Sequence, residues 1–467
     1  MINKEYAFKI FFQRVPILLL GLGSSFFLEL LGHAEVPNPG QLLIHVVNPI
    51  SEVKILPTTF PLPGVPSTSI RLSVCRGEYE PFSFVIRTKN EHLNSILISA
   101  SDLFSDHGTI HKKHIDVKVV KTWYQAAGAW ESNAVDNKRR NKRVLVPELL
   151  VNDPEIIMLD NTKQDNYIKL HNDSGYWYAL ISKSNITSQQ ELPSTNQFPV
   201  RDAESLQPIS IPPNSNLQYW ITVHVPKDSQ PGQYKGTITI ANTHGQKFES
   251  IDIQVDVMPF ELANSIIEYS LYYRGKLAPR SPTVSSEFKS EQQLKAELRN
   301  MREHGILNPT VYQGYRPKNE LVLTPVAEAK ALLSRYLAIR QELEMTHVPL
   351  YYLGRTLGAD SPENLKLLET DVPDLLNMAN KFSFTELFLY GKDEATGNEL
   401  LEGMEAARKV RSLGGKTLAA GYKGYFEARG NFTDIFVYYG MPSATEAAKF
   451  HSIGNKIYNY HNPQTGP

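Results

Sequence analysis

Residues 386–397 read Glu386-Leu387-Phe388-Leu389-Tyr390-Gly391-Lys392-Asp393-Glu394-Ala395-Thr396-Gly397, a short apolar run that ends in two adjacent acids. Within a strand, successive side chains leave opposite faces, so neighbouring carboxylates cannot share one. Where the strand stops and the chain bends, that restriction lifts. Asp393 and Glu394 can then project into one cavity beyond the strand's carboxyl end, where barrels of alternating strands and helices do their chemistry. Two acids forced together there cannot both ionise cheaply, so one of them is expected to titrate high and to donate a proton. A plainer reading also fits. Acids are favoured near helix starts by the dipole, and Asn398 can serve as an N-cap before Glu399-Leu400.

Working outward from this stretch, the chain after residue 265 alternates strand and helix. Strands are expected at 268–273, 310–312, 348–353, 386–390, 417–420, 434–439 and 456–460, with helices at 286–304, 327–343, 362–379 and 400–413. Gly305 and Gly414-Gly415 sit where two of the helices should close. That makes about seven parallel strands, where a closed barrel of this type has eight. Residues 263–467 are therefore read as a (β/α)8-type TIM barrel lacking its last βα unit. Asn462-Pro463-Gln464-Thr465-Gly466-Pro467 follows the seventh strand directly, which suggests a fragment of a longer protein. An open parallel barrel would leave two strand edges unpaired.

Residues 35–262 read as a β-sandwich, with short β-branched runs at 42–47, 82–86, 117–120 and 251–257 separated by turn residues. The clearest unit is Tyr219-Trp220-Ile221-Thr222-Val223-His224-Val225, then Pro226 to Gly232, then a second alternating run over 234–240. Alternation on both sides of a Pro/Gly/Asp connection predicts an antiparallel pair with one buried face. The polar stretch 183–212 reads as a long insertion.

The composition is balanced, with 48 Lys and Arg against 49 Asp and Glu and a formal net charge of -1. Nothing here attracts nucleic acid or anionic lipid, and the basic run Lys138-Arg139-Arg140-Asn141-Lys142-Arg143 is read as a solvated loop. Lys4, Lys9 and Arg14 precede an apolar stretch over 15–31, and Gly32-His33-Ala34 follows. This is the pattern of a secretory signal peptide over residues 1–34, cleaved after Ala34. Glu29 within the apolar run opposes a stable membrane span, leaving an uncleaved anchor as the second choice. Cys75 is the only cysteine, so no internal disulfide forms. A disulfide-free exported protein suits a bacterial periplasm or exterior, and the sequons at Asn185 and Asn431 then carry no meaning. The chain has no HExxH pattern, thiolate metal site, Gly-rich phosphate loop or nucleophile-elbow serine, so no metal and no cofactor is expected.

Several short motifs occur in a recognisable order: Arg76-Gly77-Glu78-Tyr79-Glu80-Pro81-Phe82, Leu145-Val146-Pro147-Glu148-Leu149-Leu150, and Val225-Pro226 through Pro231-Gly232-Gln233-Tyr234-Lys235-Gly236. Asn300-Met301-Arg302-Glu303-His304-Gly305 and the Asp393-Glu394 pair come next. With these, the chain resembles glycoside hydrolase family 123 and barrel proteins of the same architecture, from roughly residue 70 to its end. The resemblance implies an amino-terminal β-sandwich, a (β/α) barrel and retaining hydrolysis of β-linked N-acetylgalactosamine. One feature departs from the pattern. The pair is often followed by proline in this architecture, whereas Ala395 and Thr396 follow it here.

Ordinary retaining glycosidases place two carboxyl groups about 5–5.5 Å apart, with one acting as nucleophile. Neighbours on one strand end do not straddle a sugar in that way. They suit substrate-assisted catalysis, in which the sugar's 2-acetamido oxygen attacks the anomeric carbon. Glu394 would protonate the leaving oxygen and later activate water, while Asp393 would orient the acetamido N–H and stabilise the developing charge. The family pattern implies the same roles. Tyrosines crowd the other strand ends, at Tyr272 and Tyr273, Tyr312, Tyr351 and Tyr352, Tyr390, Tyr422, Tyr438 and Tyr439, and Tyr460. A tyrosine offers a flat apolar face to sugar C–H groups and a hydroxyl to its polar ones. Strand alternation turns about half of them away from any cavity. Tyr273, Tyr352, Tyr439 and Asn462 are the expected substrate-binding residues. The expected partner is a carbohydrate, either as substrate or, in the competing reading, as ligand of a non-catalytic binding or surface protein on the same scaffold.

Overall fold

The structure is a computed structural model, and it describes residues 42–51, 53–130, 143–172, 175–181, 202–262, 265–277, 287–315, 326–440 and 443–460. The leader over 1–34, Asn185, the basic run except Arg143, and Asn462 with the residues after it lie outside the described residues.

Among the described residues up to 261 the regular elements are strands and single 3-10 turns. One sheet runs in the order Val65–Pro66, Leu42–Val47, Tyr79–Thr88, Asn216–His224, Ile115–Trp130, Arg143–Val151. The facing sheet runs Ile209–Ile211, Leu93–Ala100, Gly232–Asn242, Lys247–Glu261, Ser69–Arg76. Between them Phe84, Ile86, Tyr219, Ile221, Ile238 and Ile251 form one buried core. A small third sheet joins Ile157–Asp160, Asp165–Asn172 and Gly175–Leu180.

The pair expected across residues 226–232 is not a hairpin. Asn216–His224 is hydrogen-bonded to Tyr79–Thr88 and Ile115–Trp130, whereas Gly232–Asn242 is bonded to Lys247–Glu261 and Leu93–Ala100 in the other sheet. The connection crosses the sandwich from one layer to the other. Alternation reports that one face of a strand is buried; it does not report which strand lies alongside. A connection with Pro226 and Pro231 is long and stiff enough to span the roughly 10 Å between stacked sheets.

Beyond residue 287 helices and parallel strands alternate. The helices are α1 (Glu291–Glu303), α2 (Val326–Glu342), α3 (Pro362–Lys381), α4 (Met404–Ser412), α5 (Tyr425–Arg429) and α6 (Ala444–Ser452). α1 begins at Ser290, which caps Gln293 N–H while the Gln293 side chain returns to the Ser290 N–H. The five parallel strands, in both sequence and spatial order, are Leu350–Thr356, Leu387–Tyr390, Lys416–Gly421, Ile435–Tyr439 and Lys456–Tyr460. Their outer side chains, among them Leu350, Tyr352, Leu387 and Leu389, pack with Leu298, Leu333 and Leu337 of the helices. Each such leucine stabilises the fold by about 1.5–3 kcal/mol on full burial. Tyr351, Leu353, Phe388, Tyr390, Leu418 and Val437 face the concave side.

The first two strands expected for a barrel are irregular. Thr310 N–H donates to Leu271 O at 2.9 Å, Tyr273 N–H goes to the Thr310 hydroxyl at 3.0 Å, and Val311 N–H reaches Tyr351 O at 2.8 Å. The two passes therefore follow barrel order without a regular ladder. Pro309 supplies no N–H in the second pass, and a side-chain hydroxyl takes the place of a backbone acceptor in the first. The expected seven-stranded barrel is thus a five-stranded sheet extended by two irregular passes and curled into half a barrel. The curl brings the ends together. The Tyr272 ring lies 6.2 Å from that of Tyr460, and the hydroxyls of Tyr351 and Tyr458 are 2.6 Å apart. Among the described residues no helix is long and apolar enough to cross a membrane.

Candidate active site

Parallel strands all end on the same side, and in this sheet four of those ends carry tyrosine. Tyr390 and Tyr439 close their strands, Tyr460 closes the last one, and Tyr422 follows Gly421 directly. Tyr272, from the irregular first pass, completes the group. Their rings touch in sequence around the concave rim: Tyr390 to Tyr272 at 6.3 Å, Tyr272 to Tyr460 at 6.2 Å, Tyr460 to Tyr439 at 5.6 Å, and Tyr439 to Tyr422 at 5.3 Å. Edge-to-face contacts of this kind hold each ring in place and leave apolar faces open toward the rim.

Asp393 and Glu394 are both exposed and sit within this rim. The Tyr390 hydroxyl donates to Asp393 Oδ1 at 2.6 Å. Glu394 receives two hydroxyls, Tyr422 on Oε2 at 2.7 Å and Tyr460 on Oε1 at 2.5 Å. The backbone explains how neighbours come to share a cavity. Gly391 N–H donates to Leu418 O at 2.7 Å and Glu394 N–H to Ala420 O at 3.1 Å. Three residues of chain are thus spent against two of the adjoining strand, as in a bulge, and the extra residue re-aims the side chains. Glu394 absorbs the bend at φ 46°, a left-handed backbone that costs a non-glycine residue about 1–2 kcal/mol. Strain of this kind persists where the surroundings impose it, and it is concentrated at functional sites.

The pair does not cap the following turn. Gly397–Leu401 starts from Thr396, whose O accepts Glu399 N–H at 3.0 Å, and both carboxylates are engaged by tyrosines instead.

Glu394 does not carry the raised titration expected of one of the two acids. Glu394 is held below the ordinary carboxylate range, first by the Tyr460 hydroxyl and then by that of Tyr422, with partial burial acting weakly the other way. Tyr422 is pushed up to about 12, mainly by its bond to Glu394, and Tyr272 is pushed up to about 12 mainly by burial. Tyr390 and Tyr460 are also raised, chiefly by burial. These hydroxyls therefore remain donors across the working pH range.

The expected binding residues separate. Tyr439 lies on the rim, between Tyr422 and Tyr460. Tyr273 and Tyr352 do not: Tyr273 turns to the helix layer, where its hydroxyl meets Glu297 Oε2 at 2.6 Å, and Tyr352 is fully buried with its hydroxyl on Gln313 O at 2.8 Å. In each doublet the preceding tyrosine, Tyr272 or Tyr351, faces the concave side. Asn462 lies outside the described residues. Tyr272, Tyr390, Tyr422 and Tyr460 complete the rim, and one signal for them was present in the sequence. Phe388 and Tyr390 share a face, and carrying that parity across the sheet selects Tyr351 over Tyr352.

Among the described residues no group of three or more His, Cys, Asp or Glu is placed to hold a metal ion. The arrangement provides two anionic acceptors beside one another, a ring of hydroxyl donors and several aromatic faces. It can bind a sugar and stabilise positive charge developing on it.

The fold has a counterpart among solved structures. A family 123 glycoside hydrolase from Clostridium perfringens, studied for glycolipid glycan hydrolysis, superposes with a TM-score of 0.54 at 11% identity, covering 90% of this chain and 72% of that one. β-Glucuronidases from Parabacteroides merdae and Bacteroides uniformis share much less of the geometry, each with a TM-score of 0.25, at 10% and 9% identity, covering 82% of this chain and 53% of theirs. The first likeness is one of fold: a β-rich, multidomain, glycosidase-like architecture with a curled half-barrel sheet. No family model and no curated protein matches the chain by sequence.

Proposed function

We propose that this protein is a retaining glycoside hydrolase that removes terminal β-linked N-acetylhexosamine, with N-acetylgalactosamine favoured, using the substrate's acetamido group as nucleophile. One observation carries the reading: two adjacent carboxylates emerge from a single parallel-strand end, each gripped by rim tyrosines. The fold likeness and the ordered sequence motifs support the same class.

In this reading the sugar lies on the tyrosine rim. Its acetamido oxygen attacks the anomeric carbon as Glu394 delivers a proton to the departing glycosidic oxygen. Asp393 accepts the acetamido N–H and faces the positive charge of the cyclised intermediate. Glu394, now a carboxylate, takes a proton from the water that opens the ring, and the β configuration is restored. Export through the amino-terminal leader to the periplasm or exterior belongs to the same proposal.

Release of nitrophenol from aryl β-N-acetylgalactosaminide and β-N-acetylglucosaminide tests this. On a glycoside of the same sugar with a poor leaving group, turnover that falls by about 10²–10⁴ in Glu394→Gln is expected for loss of a general acid–base. Near-full activity in that variant would remove Glu394 from the role.

A second reading has its own support. A carboxylate already satisfied by two hydroxyls is a good ligand for sugar hydroxyls and a poor proton donor at neutral pH, which suits a non-catalytic carbohydrate-binding protein. Saturable binding of N-acetylgalactosamine without turnover at any pH would favour it.

A further inference from the structure

Glu394 is addressed from two strand ends at once. Tyr422, beyond the third parallel strand, donates to Oε2 at 2.7 Å, and Tyr460, at the end of the fifth, donates to Oε1 at 2.5 Å. Each carboxylate oxygen thus has its own donor. A protonated carboxyl group has one acceptor oxygen fewer to offer, so this geometry is matched to the anion. Both donors are positioned independently of Glu394: the Tyr422 ring packs edge-on against Tyr439, and the Tyr460 ring against Tyr439 and Tyr272. Among the described residues, the remaining titratable groups facing the acid are Asp393 on its own segment, Tyr272 on the first pass and Tyr439 on the fourth strand. No Lys or Arg among the described residues contributes to its charge state.

We propose that Tyr422 and Tyr460 are positioning residues, a two-hydroxyl clamp that holds Glu394 as a carboxylate until a sugar takes at least one hydroxyl away. This rests on the hydrolase reading and adds how its acid is loaded. The glycosidic oxygen and ring hydroxyls of the sugar compete for the same donors. Once one is diverted, the carboxylate loses part of its stabilisation and takes a proton from the water still in contact with it, before the bound sugar closes the rim. That proton is the one later passed to the leaving oxygen. The depressed titration of Glu394 agrees with the clamp.

The test follows Glu394 directly, in full-length protein carrying 13C-carboxyl glutamate, with the resonance assigned by Glu394→Gln. Tyr422→Phe and Tyr460→Phe keep the packed rings and remove only the hydroxyls. The midpoint of the Glu394 resonance is expected to rise in each single variant and further in the double variant. The basic limb of kcat/KM on aryl β-N-acetylgalactosaminide should move up in the same order, so that the share of activity kept at neutral pH grows several-fold. An unchanged Glu394 midpoint in the double variant overturns the clamp. A midpoint that rises in a protein with no turnover on either aryl N-acetylhexosaminide upholds the clamp and rejects the hydrolase reading, so the two failures are distinguishable.

Discussion

Glu394 combines a strained backbone, two hydroxyl donors and a lowered pKa, and each has a measurable consequence. Because its folded pKa is depressed, the stability it contributes is present above the ordinary glutamate range and is lost as pH falls through the folded value. Thermal melts of wild type and Glu394→Gln should therefore differ most at neutral pH and converge in acid; a gap that stays constant with pH would contradict the assignment. Among the described residues Asp393 has one hydrogen-bond donor, the Tyr390 hydroxyl. Tyr390→Phe removes it, and the loss of about one charge-assisted hydrogen bond is expected to lower kcat/KM about tenfold or somewhat more. If Asp393 has no part in the reaction, kcat/KM will stay at the wild-type level. For Glu394→Gln, a glycoside with a poor leaving group should suffer more than a nitrophenyl glycoside, whose departure needs little protonation. Equal losses on the two would argue against a general acid.

At the scale of elements, the parallel half of the molecule was largely legible. Leu387, Phe388, Leu389 and Tyr390 form a short fully buried run ahead of polar residues, and such a run reads as a central parallel strand. Two of the helices declared their ends through Gly305 and Gly414, whereas the start of α1 at Ser290 was set four residues early. Parity was harder. In Tyr272-Tyr273 and Tyr351-Tyr352 both residues suit a half-buried strand, and only the register with neighbours decides which faces the cavity. Pairing across the sandwich was hidden for the same reason, since Gly232–Asn242 alternates equally well in either sheet. The role of Tyr422 and Tyr460 depends on residues 28 and 66 positions away from Glu394, and no local pattern reports such a distance. One element-level contact ties the sheet to its helices near the site. Arg355 at the end of the first parallel strand meets the fully buried Asp371 of α3 at 3.0 Å and Asn364 at 2.9 Å. Asp371→Ala leaves the guanidinium without this carboxylate and should cost about 3–5 kcal/mol in urea unfolding. A loss below about 1 kcal/mol, the range of exposed ion pairs, would mean that the pair is not structural.

For the molecule as a whole, the sandwich and the curled sheet reproduce an architecture known from a glycoside hydrolase, and the site lies where parallel strands end. The leader proposal adds a simple expectation. Expressed in a bacterium with its own amino terminus, the protein should be recovered outside the cytoplasm with Glu35 as its first residue. Recovery in the membrane fraction with Met1 retained would show an anchor instead. In the proposed reaction, adjacent carboxylates serve a sugar that supplies its own nucleophile. Aryl β-N-acetylgalactosaminides carrying zero, one, two or three fluorines on the acetamido methyl test it most directly, because each fluorine weakens the attacking carbonyl oxygen and leaves the rest of the sugar nearly unchanged. Substrate-assisted attack makes kcat fall steeply and progressively along the series. A flat series, or equal cleavage of the aryl β-galactoside that lacks the acetamido group, would contradict it.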